Sequence, residues 1–275
     1  MALFITSLNS GSNGNCYYIG NNNEAILIDA GLSCKETERR MKKLGLAMSK
    51  VKAIFVSHEH TDHVKGIPSL STKYTIPVYI TTPTLKNGRI FIKKENLIEL
   101  SKDQPIHVGT LTVTAFSKHH DAADPHSFII TCNDITVGVF TDIGSVCDRL
   151  TDNFRKCHAA FLESNYDETL LENGRYPLHL KNRIRGGKGH LSNTEALEVF
   201  TKHRAPHLSH LLLSHLSAEN NHPEVVQQLF DKHAAGTEVV IASRYQETPV
   251  YLINGIKPVL HEAIKIHRPM QLNLF

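Results

Sequence analysis

The sequence predicts a layered α/β protein in which sheets meet face to face and helices cover the outside. Short strand-like runs fill the first two-thirds of the chain with one helix among them, and the last third alternates helix and strand. Strand runs with interspersed helices are typical of such layered folds. The composition of the 275 residues shows no sharp change. We therefore expect one domain over residues 1–268 and a short tail at 269–275.

Strand-like segments occupy most of the first two-thirds of the chain. They are residues 3–8, 16–19, 25–29, 51–56, 78–80, 111–116, 128–132, 135–140 and 159–162. The helix that interrupts them is expected to begin at the capping box Ser33-Cys34-Lys35-Glu36 and to end near Gly45. Asn133 and Asp134 indicate a hairpin turn between two of the strands.

The last third is expected to form two helices and two strands in alternation. The helices are predicted over residues 194–204 and 223–233, and the strands over residues 208–213 and 238–242. Pro223 and Glu224 suit the first turn of the second helix.

Composition and charge exclude several classes of protein. No apolar run approaches the ~20 residues that span a bilayer, and the N-terminus lacks a basic stretch followed by an apolar signal-like segment. The five cysteines are widely spaced and include no C-x-x-C pair, which fits reduced thiols. We therefore expect a cytoplasmic protein with no membrane partner. The net charge of +3 is too small to indicate a nucleic-acid partner by itself.

The most informative segment is His58-Glu59-His60-Thr61-Asp62-His63, which follows an apolar, strand-like run. On extended backbone His58 and His60 can point the same way, while Asp62 and His63 can turn toward a second position nearby. Imidazole and carboxylate ligands suit zinc, manganese or iron, and the lack of a neighbouring cysteine argues against a closed structural zinc site. The segment therefore predicts a catalytic metal site; the alternative is a polar loop that happens to hold three histidines.

Polar residues also follow four later strands of the predicted fold. They are His119-His120-Asp121, Thr141-Asp142, Glu163 and Ser214-His215. Open sheets bind ligands at the carboxyl ends of their strands, so these residues are expected to converge on one cleft. Each alone would more often be an ordinary capping or solvated residue, and their common position is what indicates a site.

The order of these residues resembles the metallo-β-lactamase fold superfamily of binuclear hydrolases over nearly the whole chain. The motif H-x-H-x-D-H at 58–63 is followed by His120, Asp142 and His215. Five segments are similar to the YycJ/WalJ branch of that superfamily, whose members are regarded as nucleases acting on DNA. They are residues 7–16, 141–144, 162–165, 189–193 and 214–217. The resemblance implies an αββα sandwich of two mixed sheets flanked by helices, with two divalent metal ions at the edge where the sheets meet.

The resemblance also implies which residues hold each metal. One ion would be bound by His58, His60 and His120, the other by Asp62, His63 and His215, and Asp142 would bridge them. His120 is assigned instead of His119 because it begins the family's H-D-A pattern. Zn²⁺, Mn²⁺ and iron all suit this set of ligands. Two such ions ~3.5 to 4 Å apart can hold a hydroxide between them and clamp a phosphate oxygen during in-line attack.

His190 lies in a glycine-rich turn and corresponds to the catalytic histidine of the related tRNA 3'-end processing nucleases. An imidazole at this place can donate a proton to the departing sugar oxygen near neutral pH. Glu163 resembles the glutamate that orients that histidine. We therefore expect His190 and Glu163 to act with Asp62 in catalysis; a helix-start histidine with no chemistry is the alternative.

Residues 174–190 form a basic strip that contains no acidic residue. Arginine forks and exposed glycine amides bind phosphate, and both occur here. We therefore expect this strip to guide a nucleic-acid strand to the metals, and a merely solvated face is the alternative. The candidate contacts are Lys181, Arg183, Arg185 and Lys188.

A polar loop at residues 10–15 joins two early strands and offers hydroxyls, amides and bare backbone. Composition alone favours a plain turn. In the family this loop approaches the metal cleft, which makes Ser12 and Asn13 candidate substrate contacts.

The last five residues resemble the short peptide by which bacterial replication and repair proteins dock on the sliding DNA clamp. Gln271 would make polar contacts, and Leu272, Leu274 and Phe275 would be the apolar anchors. The peptide follows Pro269 at the end of the chain, where an extended segment can reach another protein. The alternative is a tail that folds back on its own core.

Together these features predict a metal-dependent phosphodiesterase, a DNA nuclease that works as a 5'-to-3' exonuclease in repair or replication. RNA is a close alternative, since nothing in the sequence reads a 2'-hydroxyl. Hydrolysis of a small ester, thioester, lactam, lactone or cyclic phosphate is another, against which stand the basic strip, His190 and the tail. A regulatory protein with a vestigial site would not need the complete set of ligands. The sequence leaves the oligomeric state open.

Overall fold

Two sheets of seven strands each pack face to face in the computed structural model, which describes residues 2–256. Helices pack on the outer face of each sheet, so the layers follow the order helix, sheet, sheet, helix. The predicted layered fold is therefore confirmed, as is the αββα sandwich that the family resemblance implies. Residues 257–268 and the predicted tail at 269–275 lie outside the described residues, so the domain boundary at 268 remains a prediction.

The first sheet comes mainly from the N-terminal part of the chain. Its strands are β1 (Leu3–Asn9), β2 (Cys16–Gly20), β3 (Ala25–Ile28), β4 (Val51–Phe55), β5 (Val78–Ile80), β6 (Leu97–Glu99) and β14 (Tyr251–Ile253). Their spatial order is β14-β1-β2-β3-β4-β5-β6. Pairing is antiparallel from β14 to β3 and parallel from β3 to β6.

The second sheet repeats this mixed pattern later in the chain. Its strands are β7 (Pro105–Val108), β8 (Leu111–Ser117), β9 (His126–Cys132), β10 (Ile135–Phe140), β11 (Ala159–Glu163), β12 (His210–Ser214) and β13 (Glu238–Ile241). Their spatial order is β13-β12-β11-β10-β9-β8-β7, antiparallel from β7 to β10 and parallel from β10 to β13. In both sheets the parallel strands end at one edge, where their carboxyl ends gather polar residues.

The helices connect the parallel strands and cover the sheets. They are α1 (Cys34–Lys43), α2 (Thr61–Val64), α3 (Ile67–Tyr74), α4 (Thr82–Gly88), α5 (Asp148–Phe154), α6 (Glu168–Asn173), α7 (Leu178–Arg185), α8 (Asn193–His203) and α9 (Pro223–Asp231), with short 3₁₀ turns at Met48–Lys50 and Lys94–Asn96. Ser33 caps α1 as predicted, its hydroxyl accepting from the backbone N of Glu36. None of the helices in the described part of the chain is both long and apolar enough to cross a bilayer.

The core alternates along each strand because successive side chains point to opposite faces of a sheet. In β3, Ile26 and Ile28 face the second sheet, whereas Ala25 and Leu27 face the helices. All four are fully buried. Because both faces of β3 are buried, the strand is apolar throughout. This is typical of strands that are covered on both faces.

The predicted strands and helices are confirmed to within about two residues at their ends, but several elements were missed. Strands β6 and β7 are short and largely exposed, so they lack the apolar runs that indicate strands and are held by pairing with β5 and β8. Helices α2 to α7 were not predicted either; none exceeds eight residues, and helices this short depend on tertiary contacts.

Candidate metal centre and active site

The side chains predicted to bind metal meet at one edge of the sandwich. They follow four strands, β4, β8, β10 and β12, at the end of each one, and Glu163 is the last residue of β11. The ligand atoms lie within 4.8 Å of one another inside each of four groups: His58, His60 and His120; Asp62, His63 and His215; His58, His63 and Asp142; and Asp142, Glu163, His190 and His215. The first two groups are the two ligand sets that the family resemblance implies.

The first set presents three imidazole nitrogens to a common point. His58 Nε2 lies 3.0 Å from His60 Nδ1, which lies 3.4 Å from His120 Nε2. Burial lowers the pKa of His58 well below its usual value and that of His120 to about 4. Both rings are therefore neutral near pH 7 and have lone pairs to offer a cation.

The structure turns His120, and not its neighbour, toward this point. His120 Nδ1 lies 3.0 Å from the carbonyl oxygen of Gly189, to which it can donate, leaving Nε2 for a ligand. His119 is exposed, and its Nδ1 lies 2.7 Å from Ser145 Oγ. The geometry thus supports the assignment of His120.

The second set combines imidazoles with carboxylates. His63 Nε2 lies 3.4 Å from Asp142 Oδ2 and 3.5 Å from Asp62 Oδ2. His215 Nε2 lies 3.4 Å from Asp142 Oδ1 and 3.6 Å from Asp62 Oδ2. Burial disfavours the charged form of His63. The nearby carboxylates of Asp142, Asp62 and Asp29 outweigh this effect and raise the pKa of His63 to about 10. A bound cation would replace these protons, because metal ligands must be deprotonated.

Two buried polar atoms of the predicted ligands make no well-aligned hydrogen bond among the described residues, although each lies 3.4 Å from a group of opposite charge. They are Asp142 Oδ2 and His215 Nε2, and both belong to predicted ligands. Leaving such atoms unpaired costs about 1–3 kcal/mol each, so a buried site normally supplies a partner. Imidazole nitrogens and carboxylate oxygens without a cysteine suit divalent metal ions, and the residues present therefore fit them.

Asp29 supports the site and was missed by sequence reasoning. Its carboxylate accepts from Ser57 N at 2.8 Å and Ser57 Oγ at 2.7 Å, and it lies 2.7 Å from His63 Nδ1. A carboxylate in this position fixes the tautomer and orientation of a ligating imidazole. The signal was available, since Asp29 closes a predicted strand at the same edge as the ligands.

Asn15 is a second supporting residue that was missed. Its Nδ2 lies 3.1 Å from Asp62 Oδ2 and 3.0 Å from His63 Nε2. Its backbone N donates to the Asp62 carbonyl at 2.7 Å. It comes from the polar loop at residues 10–15, where composition favoured a plain turn, so no sequence signal singled it out.

Three residues of the site adopt left-handed backbone. The φ angles are 59° for Asp29, 55° for Asp142 and 59° for His215. This region costs a non-glycine residue ~1–2 kcal/mol. Asp29 and His215 directly follow a strand, and Asp142 is the second residue after one. Backbone strain at functional sites persists where the surrounding contacts hold it.

His190 and Glu163 form a tight pair beside the ligands. His190 Nδ1 lies 2.7 Å from Glu163 Oε1, and Glu163 Oε2 accepts from Ile143 N at 2.6 Å and Leu191 N at 3.3 Å. Burial opposes ionisation of Glu163, but His190 and His215 outweigh it and lower the pKa of this carboxyl to about 2. The carboxylate therefore holds the proton of His190 on Nδ1 and leaves Nε2 as the free ring nitrogen.

The basic strip forms α7 and the turn that leads to His190. Arg183 Nε donates to Asp121 Oδ2 at 2.5 Å, and Arg185 pairs with Glu172 at 2.8 Å. Lys181 donates to the Glu172 carbonyl, and Lys188 is exposed. The strip thus reaches the edge of the site through Asp121, the neighbour of His120.

The turn after α7 packs on the strand end that carries Asp142. A Cβ added to Gly144 would lie 2.4 Å from Lys188 Cα, so only glycine permits this contact. Lys188 therefore sits close to the turn that follows Asp142.

The polar loop reaches the site through its two ends, whereas its tip does not. Ser10 Oγ accepts from His215 N at 2.7 Å. Ser12 and Asn13 at the tip are exposed and contact Arg244: its Nη2 donates to Ser12 Oγ at 3.2 Å, and Asn13 Nδ2 donates to its carbonyl at 2.7 Å. Their predicted role as substrate contacts remains a prediction.

Asp29 should strengthen metal binding through its contact with His63. Replacing Asp29 with Asn removes the charge opposite His63, and we expect metal affinity to fall ~10–100-fold, as for other outer partners of ligating histidines. Equilibrium dialysis against Mn²⁺ measures this. Asp134→Asn, in the exposed β9–β10 turn, is the matched control. Equal affinity of the two variants would contradict a supporting role for Asp29.

Comparison with known proteins identifies the family. The model of the beta-lactamase superfamily domain matches residues 24–215. The chain is 35% identical over 236 residues to exodeoxyribonuclease YycJ of Bacillus anthracis, covering 82% of this chain and 87% of the relative. It is 30% identical over 234 residues to exodeoxyribonuclease WalJ of Streptococcus pneumoniae, covering 81% and 86%.

A solved structure supports the same fold. The metallo-beta-lactamase fold protein YhfI from Bacillus subtilis superimposes with a TM-score of 0.71 at 18% identity, covering 92% of this chain and all of that one. The matched model and the identity to the two relatives place the chain in the beta-lactamase superfamily, as a metal-dependent hydrolase of its YycJ/WalJ branch.

Proposed function

We propose that the protein is a binuclear metal-dependent DNA nuclease, a 5'-to-3' exonuclease that acts in DNA repair or replication in the cytoplasm. The observation that carries the proposal is the His190–Glu163 pair, 2.7 Å apart, next to the clustered side chains that are proposed as metal ligands. Such a set suits phosphodiester hydrolysis, and the relatives YycJ and WalJ are named exodeoxyribonucleases. Zn²⁺ and Mn²⁺ fit the ligands, and iron does as well.

The protein's own residues have separate tasks in the proposed reaction. Divalent ions held by the two ligand sets would polarise a phosphate oxygen and lower the pKa of a water molecule. The imidazolium form of His190 donates its Nε2 proton to the departing sugar oxygen, which is general acid catalysis, and the ring is left as the neutral imidazole protonated on Nδ1. Glu163, 2.7 Å from Nδ1, stabilises the charged ring and keeps the remaining proton on Nδ1. Asp62 and Asp142 bring the negative charge that makes a site so rich in imidazoles attractive to cations.

The proposal is tested with end-labelled nucleic acids. Mn²⁺-loaded protein is incubated with DNA duplexes labelled at the 5' or the 3' end and with a matching RNA, and products are followed over time. We expect early, stepwise loss of the 5' label from DNA. Early loss of the 3' label would indicate the opposite polarity, 3' to 5'. Preferred cleavage of RNA would indicate that RNA, and not DNA, is the substrate. If both polymers stay intact while bis(p-nitrophenyl) phosphate is hydrolysed, a small-molecule hydrolase is the better assignment.

The basic strip should contribute to DNA binding through phosphate contacts. Arg183 and Arg185 are exposed and paired only with exposed or half-exposed acids, and such pairs are worth little, so phosphate can replace the acids. Replacing both arginines with Gln should weaken binding and lower the slope of log affinity against log salt by about two units on duplex DNA, roughly 0.9 per lost contact. Fluorescence anisotropy measures both.

A matched pair of arginines elsewhere controls for net charge. Arg39 and Arg155 also pair with nearby acids, on α1 and after α5. Replacing both with Gln removes the same charge and should leave the salt slope unchanged. Equal slopes of log affinity against log salt for the two double variants would indicate that the basic strip is only a solvated surface and does not bind phosphate.

The C-terminal peptide, which lies outside the described residues, is proposed to bind the sliding DNA clamp. Deleting residues 271–275 should abolish capture of the protein by immobilised clamp, because Gln271, Leu272, Leu274 and Phe275 supply the proposed contacts. Cleavage of short DNA should not change. Surface plasmon resonance of the full chain and the truncated chain tests this, with a chain carrying the five residues in scrambled order as control. Capture of the truncated chain would refute the peptide's role.

A further inference from the structure

A cavity of about 480 Å³ lies beside the metal centre. Its lining includes Ser10, Leu216 and residues 242–246. Ser10 connects it to the site, because its hydroxyl accepts from His215 N at 2.7 Å while its backbone N donates to the Ser243 carbonyl at 3.1 Å. The volume falls in the range of ~300–1,000 Å³ that small-molecule sites occupy. The basic strip approaches the same centre through a different neighbour, Asp121.

Arg244 lines this cavity and has one guanidinium nitrogen without a partner among the described residues. Its Nη2 donates to Ser12 Oγ at 3.2 Å, but its Nη1 is buried and has no hydrogen-bond partner within residues 2–256. A buried guanidinium nitrogen without an acceptor is unfavourable, and a phosphate oxygen is an acceptor that arginine binds well. Ser12 and Asn13 hold the side chain and the backbone of Arg244, so they position it.

Tyr245 brings an exposed aromatic ring on a fixed backbone. The residue is 77% exposed. Its backbone N donates to Ser243 Oγ at 3.0 Å, and its carbonyl accepts at 3.1 Å from Arg40, a buried arginine that also donates to the Leu8 carbonyl at 2.7 Å. A ring presented to solvent on anchored backbone is suited to stacking, since little backbone freedom remains to be lost when a partner binds.

We propose that Arg244 and Tyr245 form a nucleotide subsite, in which the guanidinium binds a phosphate and the ring stacks on the base of a nucleotide adjoining the scissile bond. The inference rests on the proposed nuclease function and adds to it a second binding surface apart from the basic strip. Every base has a π face, so stacking does not discriminate between bases. The subsite therefore suits a nuclease that cleaves DNA without preference for its base sequence.

The sequence offers a direct probe of stacking because it contains no tryptophan. Tyr245→Trp introduces a single fluorescent ring at the subsite in the full chain. Thymidine 5'-monophosphate should quench it saturably, and inorganic phosphate, which has no base, should not. In a variant that carries both Tyr245→Trp and Arg244→Ala, quenching by thymidine 5'-monophosphate should no longer saturate. Phe91→Trp, at a site that is 73% exposed and does not line the cavity, is the matched control.

A kinetic test separates binding from chemistry. On single-stranded DNA, Tyr245→Ala should raise KM about tenfold with little change in kcat, in line with the loss of one base stack. Tyr245→Phe keeps the ring and should retain the KM of the unaltered protein. On bis(p-nitrophenyl) phosphate, which has no base, all three proteins should be equal.

The outcomes distinguish the subsite from the proposed function. If the unaltered protein cleaves DNA while Tyr245→Ala keeps its KM, and the tryptophan is not quenched by the nucleotide, the subsite is overturned and the nuclease stands. If the unaltered protein hydrolyses bis(p-nitrophenyl) phosphate but not DNA, the nuclease proposal fails and the subsite falls with it.

Discussion

Replacing Asp142 with asparagine should greatly weaken metal binding and DNA cleavage together. Asp142 is fully buried and its Oδ2 has no hydrogen-bond partner in the described part of the chain, although Lys118, His63 and His215 surround it with positive charge. The amide keeps the shape but loses the negative charge that Asp142 is proposed to contribute as a metal ligand. We expect metal affinity to fall by more than the ~10–100-fold typical of an outer partner. DNA cleavage should fall about a thousandfold or more, since metal ions supply several kcal/mol of transition-state stabilisation.

Two readouts besides activity test this expectation. Bound metal is measured after dialysis by plasma mass spectrometry, and thermal unfolding is followed with and without Mn²⁺. The unaltered protein should be stabilised by the ion, because a ligand that binds only the folded state raises the melting temperature, and Asp142→Asn should not. Asp134→Asn should behave like the unaltered protein. Full metal content in Asp142→Asn would exclude Asp142 as a ligand.

The position of the site could be predicted because the strands that carry it have strong signals. Each of β4, β10 and β12 is a largely apolar run, and a polar ligand candidate follows each one within three residues. Within each sheet the carboxyl ends of the parallel strands share an edge, and the face-to-face packing of the two sheets brings those edges, and with them His58, Asp142 and His215, together. The exact ligand sets needed more than this, since they came from the resemblance to a family.

The supporting contacts could not be predicted because they join residues that lie far apart in the chain. Asn15 contacts Asp62, and Ser12 contacts Arg244, 232 residues later. Periodicity reports which face of an element is buried, but it carries no information on which distant polar group will lie opposite. Lys118 is a further case: it is buried and donates to the Thr141 carbonyl at 2.6 Å, although lysine usually indicates a surface.

Replacing His190 with alanine should lower kcat on DNA while metal content stays intact. His190 is 20% exposed in its side chain, and Glu163 holds its Nδ1 at 2.7 Å. We expect the loss to be about 10²–10⁴-fold, the usual contribution of general acid catalysis. His119→Ala is the matched control, because that histidine neighbours the site but pairs with Ser145. Loss of metal from His190→Ala would make His190 a ligand, as its grouping with Asp142 and His215 also permits.

The leaving group decides whether His190 acts as the proton donor. A sugar alkoxide is a poor leaving group and gains from protonation, whereas p-nitrophenolate departs without it. On thymidine 5'-(p-nitrophenyl phosphate) the defect of His190→Ala should therefore shrink to a small fraction of its size on DNA, while the defect of Asp142→Asn should persist on both substrates. Glu163→Gln should resemble His190→Ala on DNA, because the amide no longer holds the imidazole as a charged carboxylate does. If His190→Ala lost the same factor on both substrates, proton donation would be ruled out and His190 would act by binding the phosphate.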